Sequence, residues 1–272
     1  MASTKGTGTG SGNSLPLYGR VAIVTGGSRG IGRAIATHIA SLGANVVIGY
    51  LSNSSLAEQV TSEINISSSV GTHDVKAIMV KIDITVPDDL KAIFDVAENT
   101  FGSKVHIMIN SAGILDPKYP SLASTSIEDF DSTIAINTRG AFLCCREAAN
   151  RLTRDGGGRI VMITSAMVGV LKPGYSAYAA SKSAVEAMVK VLAKELKGTS
   201  ITANCVAPGP VATDMFVAGK SDELIKKMGE DCPFGRLGEP KDVSNLVSFL
   251  VSDVGEWING QVIRTNGGAF IV

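Results

Sequence analysis

The 272-residue sequence lacks the features that mark several classes of protein. Its 25 basic and 25 acidic residues leave no formal net charge, whereas proteins that bind nucleic acids or anionic membranes present a basic face. No apolar run approaches the roughly 18 residues of a membrane span, and the chain begins with neither a hydrophobic signal segment nor an arginine-rich transit pattern. We therefore expect a small-molecule partner, no nucleic acid, no membrane, and a cytoplasmic location, with a plastid as the alternative.

Cysteine and histidine are scarce as well. The four cysteines form no CxxC pair, which fits a reducing compartment, and the sequence predicts no metal site. The three histidines are His38, His73 and His106, so none follows residue 106. The absence of a histidine after residue 106 helps to weigh a hydrolase against an oxidoreductase.

What the chain does have is an alternation of short Val- and Ile-rich runs with stretches whose apolar residues recur every three or four positions. Repeated βα units produce this alternation, and runs this continuously apolar fit strands covered by helices on both faces. Residues 1–14 predict a flexible tail, and residues 15–272 predict a single α/β domain with a seven-stranded parallel sheet. The predicted strands are residues 20–25, 45–50, 76–82, 105–110, 159–164, 201–206 and 261–264.

The first predicted strand runs into a glycine-rich turn that a helix follows. The turn reads Thr-Gly-Gly-Ser-Arg-Gly-Ile-Gly over residues 25–32, with the spacing GxxxGxG. Glycines let a backbone approach a pyrophosphate closely, and N–H groups at the start of a helix stabilise its charge. The pattern predicts a doubly wound Rossmann-type fold whose dinucleotide-binding domain uses these turn contacts: Gly26, Ser28, Arg29, Gly30, Ile31 and Gly32.

The same turn also spells GxSxG from Gly26 to Gly30, which is the nucleophile elbow of serine hydrolases. Such an enzyme needs an acidic residue and then a histidine after the serine, yet no histidine lies late in this chain. Ser28 would also follow the first strand, without the strands that normally precede such a site. Both points count against serine hydrolysis, which we keep as the less favoured alternative to nucleotide binding.

The second predicted strand indicates which nicotinamide cofactor is bound. NAD sites place a carboxylate about 20 residues after the glycines, on the ribose 2′-hydroxyl. Residues 49–55 contain no acidic residue, and their hydroxyl and amide groups, together with Arg29, fit a 2′-phosphate. We therefore predict NADP(H) as the cofactor. The predicted contacts in this segment are Tyr50, Ser52, Asn53 and Ser54.

Tyr178 and Lys182 lie four residues apart at the start of a periodic helix, so both project from one face. The pair alone is weak evidence, since a packed tyrosine beside a surface lysine gives the same pattern. Ser165 strengthens it, because it follows the fifth strand, and strand ends and helix starts share one edge of a parallel sheet. The three side chains are therefore expected to meet where a nicotinamide would lie.

Carbonyl reduction needs a proton on oxygen as well as a hydride on carbon, and a phenol with a pKa near 10 is a poor acid at neutral pH. We expect the ammonium of Lys182 to lower the pKa of Tyr178 toward neutrality, although desolvation opposes part of this effect. Ser165 is expected to hold the substrate oxygen near the phenol. Asn137, in an apolar helical stretch, is a candidate fourth member, with a structural hydrogen bond as the equal alternative.

These motifs make the chain resemble the short-chain dehydrogenase/reductase family over nearly its whole length from residue 15. The resemblance rests on TGxxxGxG, a variant NNAG that reads Asn-Ser-Ala-Gly at 110–113, an active-site asparagine, a serine and YxxxK. Residues 136–142 and 207–215 are similar to plant NADPH-dependent aldehyde reductases and fungal hydroxynaphthalene reductases. The resemblance implies an NADPH-dependent carbonyl reductase.

Carried over by position, the resemblance implies a catalytic tetrad of Asn137, Ser165, Tyr178 and Lys182. Asn137 would hold a water in a proton relay to Lys182, and Lys182 would also bind the ribose. The serine at position 111 leaves a role of the family's second asparagine open. The implied cofactor contacts are Tyr178, Lys182, Asp83, Ile84, Asn110, Ala112, Gly113, Pro208, Gly209, Val211 and Thr213.

Assembly and substrate are less specified. The resemblance implies a homotetramer, or a homodimer, and the apolar residues 269–272 suit a subunit interface and a core strand end equally.

The expected pocket segments include Met167, Met215 and Phe216, which favours a small, mostly apolar aldehyde or ketone. Residues 216–232, with bends at Gly219 and Gly229, predict a mobile lid. A nicotinamide-binding regulator without turnover is the second alternative, although it would not need the complete serine, tyrosine and lysine set.

NADPH should bind this protein at least about tenfold more tightly than NADH, a difference of roughly 1.4 kcal/mol. The reason is that hydroxyl, amide and guanidinium groups satisfy a 2′-phosphate, whereas no carboxylate is present to bind the 2′-hydroxyl. Titration calorimetry with both dinucleotides measures the ratio. Equal affinities would contradict the assignment.

Overall fold

The computed structural model describes residues 15–69, 75–154 and 156–271, and the predicted tail at residues 1–14 lies outside the described residues. Seven strands of the described chain form one parallel sheet in the order β3-β2-β1-β4-β5-β6-β7. This is the doubly wound, Rossmann-type arrangement that the sequence predicts. The strands are β1 (Val21–Thr25), β2 (Asn45–Tyr50), β3 (Ala77–Lys81), β4 (Ile107–Asn110), β5 (Arg159–Ile163), β6 (Thr202–Pro208) and β7 (Val262–Thr265).

Ten α-helices of the described chain lie between or after these strands. They are α1 (Gly30–Ser41), α2 (Ser54–Ser69), α3 (Pro87–Phe101), α4 (Ile127–Ile134), α5 (Ala141–Arg151), α6 (Met167–Val170), α7 (Ser176–Glu195), α8 (Asp214–Val217), α9 (Asp222–Glu230) and α10 (Pro240–Val251). A π-helical segment, Ala135–Gly140, joins α4 to α5 without a break. Within the described chain, none of the helices is both long and apolar enough to cross a bilayer.

The sheet separates two hydrophobic cores, as the continuously apolar strands predict. In β1, Val21 and Ile23 pack with α3, α5 and α7, whereas Ala22 and Val24 pack with α1, α2 and α10. Every residue of β1, β5 and β6 is buried, while the edge strands β3 and β7 are partly exposed. Each large apolar side chain buried in this way stabilises the fold by roughly 1.5–3 kcal/mol.

The strand order places a crevice at one edge of the sheet. The chain passes from β3 on one side of β1 to β4 on the other, so the order reverses between β1 and β4. The loops after these strands diverge there, and the carboxyl ends of β5 and β6 lie beside them. The fold therefore brings the glycine-rich turn, Ser165 and the start of α7 to one edge.

Candidate active site

A cavity of about 970 Å³ occupies this edge of the sheet. It extends from the glycine-rich turn to the residues that follow β6, so one space contains the predicted cofactor and catalytic groups. Of the predicted site residues, those lining it are Gly26, Ser28, Arg29, Gly30, Ile31, Tyr50, Ser52, Asn53, Asp83, Ile84, Ala112, Gly113, Ser165, Tyr178, Lys182, Pro208, Gly209, Val211 and Thr213. A cavity of this size suits a dinucleotide together with a small substrate.

Four predicted site residues do not line the cavity. Gly32 lies against the turn, where a Cβ would come 2.1 Å from the Gly26 carbonyl oxygen. Asn110 is buried and its Oδ1 accepts a hydrogen bond of 2.5 Å from the Thr25 hydroxyl. Ser54 begins α2, and Asn137 lies in the π-helical segment. Gly32 and Asn110 therefore shape the turn and the end of β4.

The glycine-rich turn fits an anionic group. Gly26 has φ +63°, and a Cβ there would lie 2.8 Å from the Ala112 amide nitrogen, so only glycine allows this approach of two backbones. Arg29 precedes α1 without a side-chain cap, and Gly30 and Ile31, whose N–H groups open the helix, line the cavity. Uncapped N–H groups and the positive helix end stabilise a phosphate.

The groups predicted to hold a 2′-phosphate are only partly available. Arg29 and Ser52 line the cavity beside β2. The side-chain oxygen of Asn53 accepts a hydrogen bond of 3.0 Å from the Leu56 N–H, so this side chain caps α2. Ser54 belongs to the first turn of α2 and does not reach the cavity. Arg29, Ser52 and the Nδ2 group of Asn53, which takes no part in this cap, are the groups placed for a phosphate.

Ser165, Tyr178 and Lys182 meet at the end of β5. Tyr178 and Lys182 lie on one face of α7, and Ser165 follows β5 by two residues. The Ser165 hydroxyl is hydrogen-bonded to the Tyr178 phenol and also accepts a 3.2 Å hydrogen bond from the Met167 N–H. Lys182 Nζ donates to the Ile163 carbonyl at 2.9 Å and lies 5.8 Å from the centroid of the Tyr178 ring.

The expected effect of the lysine on the phenol is wrong for this structure. Burial raises the pKa of Tyr178 to about 12, and the hydrogen bond from Ser165 offsets only part of that rise. Burial also lowers the pKa of Lys182 to about 8. The ammonium donates to the Ile163 carbonyl, and burial is the largest influence on the pKa of the phenol. The phenol is therefore protonated at neutral pH, as a proton donor must be.

Asn137 is buried and makes structural hydrogen bonds. Its Oδ1 accepts from the Ile114 N–H at 2.8 Å, and its Nδ2 donates to the Ile114 carbonyl at 2.9 Å and to the Ser181 hydroxyl at 3.1 Å. A Cβ at Gly113 would lie 3.1 Å from Asn137 Oδ1 and 3.2 Å from Lys182 Nζ. Asn137 and Lys182 thus approach the same stretch of backbone after β4.

Glu186 is a buried carboxylate near this site that the sequence motifs do not predict. Glu186, one helical turn after Lys182, accepts a 3.0 Å hydrogen bond from the Thr164 hydroxyl, and burial raises the pKa of its carboxyl group. Lys182 and Glu186 are therefore hydrogen-bonded to the consecutive residues Ile163 and Thr164, just before Ser165. The available signal was a glutamate on the apolar face of a periodic helix, at the spacing of the catalytic pair.

The structure agrees in part with the predicted substrate pocket and lid. Met167, Met215 and Phe216 line the cavity, as expected of an apolar pocket. The predicted lid, residues 216–232, starts within α8 and contains α9, and Gly219 lies at the bend between these helices with φ +73°. Gly229 lies inside α9, so the second expected bend is absent from that position.

The serine hydrolase alternative finds no triad among the described residues. His38 Nε2 lies 3.1 Å from the Ser248 hydroxyl, and His106 Nδ1 accepts a 3.2 Å hydrogen bond from the Val21 N–H. Neither histidine lines the cavity that contains Ser28. His73 lies outside the described residues.

Comparisons with known proteins give consistent findings. The family model described as Enoyl-(Acyl carrier protein) reductase matches residues 26–269. An Arabidopsis thaliana protein named NADPH-dependent aldehyde reductase-like protein, chloroplastic, is 60% identical over 93% of this chain and 95% of its own length. NADPH-dependent aldehyde reductase 2, chloroplastic, of the same plant is 54% identical, over 94% and 96%. The crystal structure of a short-chain dehydrogenase from Burkholderia cenocepacia J2315 in complex with NADP has a TM-score of 0.84 at 34% identity, covering 93% of this chain and 99% of that one.

Replacing Asn137 with alanine should lower the free energy of unfolding by at least about 2 kcal/mol, because buried partners at Ile114 and Ser181 lose their hydrogen bonds. Urea unfolding followed by circular dichroism measures the change. The matched control is Asn150→Ala on the exposed side of α5, which should stay within about 0.5 kcal/mol of the parent. Equal stability of the two variants would show that these bonds do not hold the loop.

Proposed function

The chain belongs to the short-chain dehydrogenase/reductase family, and on that premise we propose that it reduces a small, mostly apolar aldehyde or ketone with NADPH. The observation that carries the proposal is that Ser165, Tyr178 and Lys182 line the same cavity as the glycine-rich turn. Plant relatives named NADPH-dependent aldehyde reductases, and a related structure in complex with NADP, support the cofactor and the reaction class. NADP(H) is also the cofactor that the sequence predicts.

The chain's own residues fit this cofactor. The turn from Gly26 to Gly32 and the start of α1 would hold the pyrophosphate, and Arg29 and Ser52 would hold the 2′-phosphate. The residues after β6 that line the cavity, including Val211 and Thr213, would hold the nicotinamide amide. When bound, NADPH supplies the hydride that the carbonyl carbon receives.

The proton for the carbonyl oxygen comes from Tyr178. Its phenol is protonated at neutral pH because burial raises its pKa to about 12. Ser165, which is hydrogen-bonded to the phenol, would orient the substrate oxygen beside it. As the proton leaves, the ammonium of Lys182, 5.8 Å from the centroid of the tyrosine ring, is the nearby positive charge for the developing phenolate.

Asn137 has a supporting part in this proposal. Its hydrogen bonds to Ile114 hold the loop after β4 close to Lys182, and a water bound between Asn137 and Lys182 would return the proton to the tyrosine. The reaction is reversible in principle, but alcohol oxidation needs the phenolate form. Because burial raises the pKa of Tyr178, the protonated form that reduction uses is the one present at neutral pH.

Neither alternative function gains support. A regulator without turnover would not require the serine, tyrosine and lysine to converge on one cavity, and the family finding favours an enzyme. A serine hydrolase would need a histidine beside Ser28, and the described histidines make contacts elsewhere.

The expected cytoplasmic location is wrong. Two Arabidopsis relatives that are 60% and 54% identical to this chain carry the word chloroplastic in their names. The expectation rested on the cysteine usage and on the composition of the first residues, which show no arginine-rich transit pattern. We propose a plastid location for this protein.

Tyr178→Phe should lower kcat for aldehyde reduction by at least about 10³-fold while NADPH affinity stays within about threefold, because only the proton donor is lost. Lys182→Ala should weaken both turnover and NADPH binding, since its ammonium would stabilise the phenolate and would bind the ribose. Steady-state kinetics with a panel of aldehydes and ketones, and calorimetry with NADPH, separate the two effects. Unchanged turnover in Tyr178→Phe would contradict the assigned role of the phenol.

The rate of reduction should be level near pH 6 to 7 and fall above a pH of about 8. Burial lowers the pKa of Lys182 to about 8, so its charge is present below that pH and is lost above it, whereas Tyr178 stays protonated throughout the range. Measurement of kcat from about pH 6 to 10 gives the profile. In Lys182→Arg, which stays charged, the residual activity should lack the decline near pH 8. The same decline in both proteins would assign it to another group.

We also propose that the protein is a homotetramer, as the family resemblance implies. Large apolar side chains are exposed near the C-terminal part of the fold, with Trp257 97% and Ile271 93% exposed, and burying such groups favours association. Sedimentation velocity at micromolar concentration should show a species of about four chains. A monomer alone at this concentration would refute the assembly.

A further inference from the structure

Lys220 lies between two aromatic rings behind the wall of the cavity. Its Nζ is 4.5 Å from the centroid of the Tyr119 ring and 4.5 Å from that of the Phe216 ring. The same ammonium donates hydrogen bonds to the Tyr119 hydroxyl and to the Phe216 carbonyl. Phe216 lines the cavity, whereas Tyr119 and Lys220 are not among its lining residues. Two hydrogen bonds and the neighbouring rings give this ammonium one defined position.

The contacts of Lys220 join two segments that are distant in the sequence. The Tyr119 hydroxyl donates to the Ala218 carbonyl at 3.1 Å, which connects the loop after β4 to the segment after α8. At Gly219, a Cβ would lie 1.9 Å from the Pro117 carbonyl oxygen, so only glycine lets the two backbones come this close. Residues 218–220 are thereby held against the loop after β4 by side-chain contacts and by close backbone packing.

Tyr119 also contacts Tyr175, and Tyr175 in turn contacts Tyr178. The Tyr119 and Tyr175 rings have centroids 5.1 Å apart, and Tyr175 meets Tyr178 edge-on at 6.4 Å. The Tyr175 phenol, which lines the cavity, is hydrogen-bonded to Tyr119. Tyr119 also has φ +51°, an uncommon conformation for tyrosine that its surroundings must hold. Tyr119 is therefore fixed between the lid and the wall that contains Tyr178.

We propose that Lys220 and Tyr119 form a latch that keeps residues 214–221, which include the start of the predicted lid, closed over the substrate end of the cavity and positions Tyr175 beside Tyr178. Both are positioning residues, because neither touches the substrate space and each acts on an aromatic residue that does. The latch sets how tightly an aldehyde or ketone is confined. This role in turnover rests on the proposed function, whereas closure of the lid is a property of the chain alone.

The kinetic test uses Lys220→Met, which keeps the length of the side chain but removes its charge, and Tyr119→Phe, which keeps the ring but removes the hydroxyl. Each should raise KM for the aldehyde at least about fivefold, with kcat within about twofold and NADPH affinity unchanged. The double variant should show no more than the larger single effect, because both changes break one latch. Lys227→Met, the same change at an exposed position of α9, should leave KM unchanged. An unchanged KM in Lys220→Met, or fully additive effects, would overturn the proposal.

A second measurement requires no turnover. Amide hydrogen exchange of residues 217–220 reports on the hydrogen bonds from the Val217 and Ala218 N–H groups to Thr213 and Asp214. Exchange there should accelerate about tenfold in Lys220→Met and remain at the parent rate in Lys227→Met. Faster exchange without reduction of any tested aldehyde would retain the latch and reject the proposed function. Unchanged exchange in Lys220→Met would reject the latch whether or not the enzyme turns over.

Discussion

The hydrogen bond from the buried Lys182 ammonium to the Ile163 carbonyl fixes α7 against the end of β5, and the geometry of the site follows from it. Ser165 lies two residues beyond Ile163, and Tyr178 one helical turn before Lys182, so the bond brings the hydroxyl and the phenol together. Glu186, one turn further along α7, binds the Thr164 hydroxyl and strengthens the same contact. A charged group in a nearly dry site is costly unless it is hydrogen-bonded, and this pairing meets that requirement.

Much of the fold could be predicted because its signals are local or periodic. The seven strands are continuous apolar runs, and their burial on both faces is the physical cause of that pattern, so all seven predictions are confirmed. The boundaries differ where no side-chain pattern marks them. β6, for example, continues to Pro208, beyond the predicted end at residue 206, because its pairing with β7 extends to Thr265.

The site could be predicted only where its chemistry is encoded by spacing. The helical interval between Tyr178 and Lys182 was sufficient to place both on one face, but the balance between burial and charge depends on distances that no spacing gives. For the same reason, the sequence predicts Asn53 as a cofactor contact without showing that its side-chain oxygen also caps α2. The contacts of Tyr119 with Lys220 link positions 101 residues apart in the sequence, and nothing in either local segment indicates them.

The π-helical segment Ala135–Gly140 has a consequence for insertions and deletions. A wider turn accommodates one residue more than a regular helix would, and each residue of an α-helix advances the side-chain direction by about 100°. Removing a single residue here would let the segment become regular and would move Asn137 relative to Ile114 and Ser181, the partners of its hydrogen bonds. Length variation is therefore much less tolerable at this point inside a helix than in the surface loops.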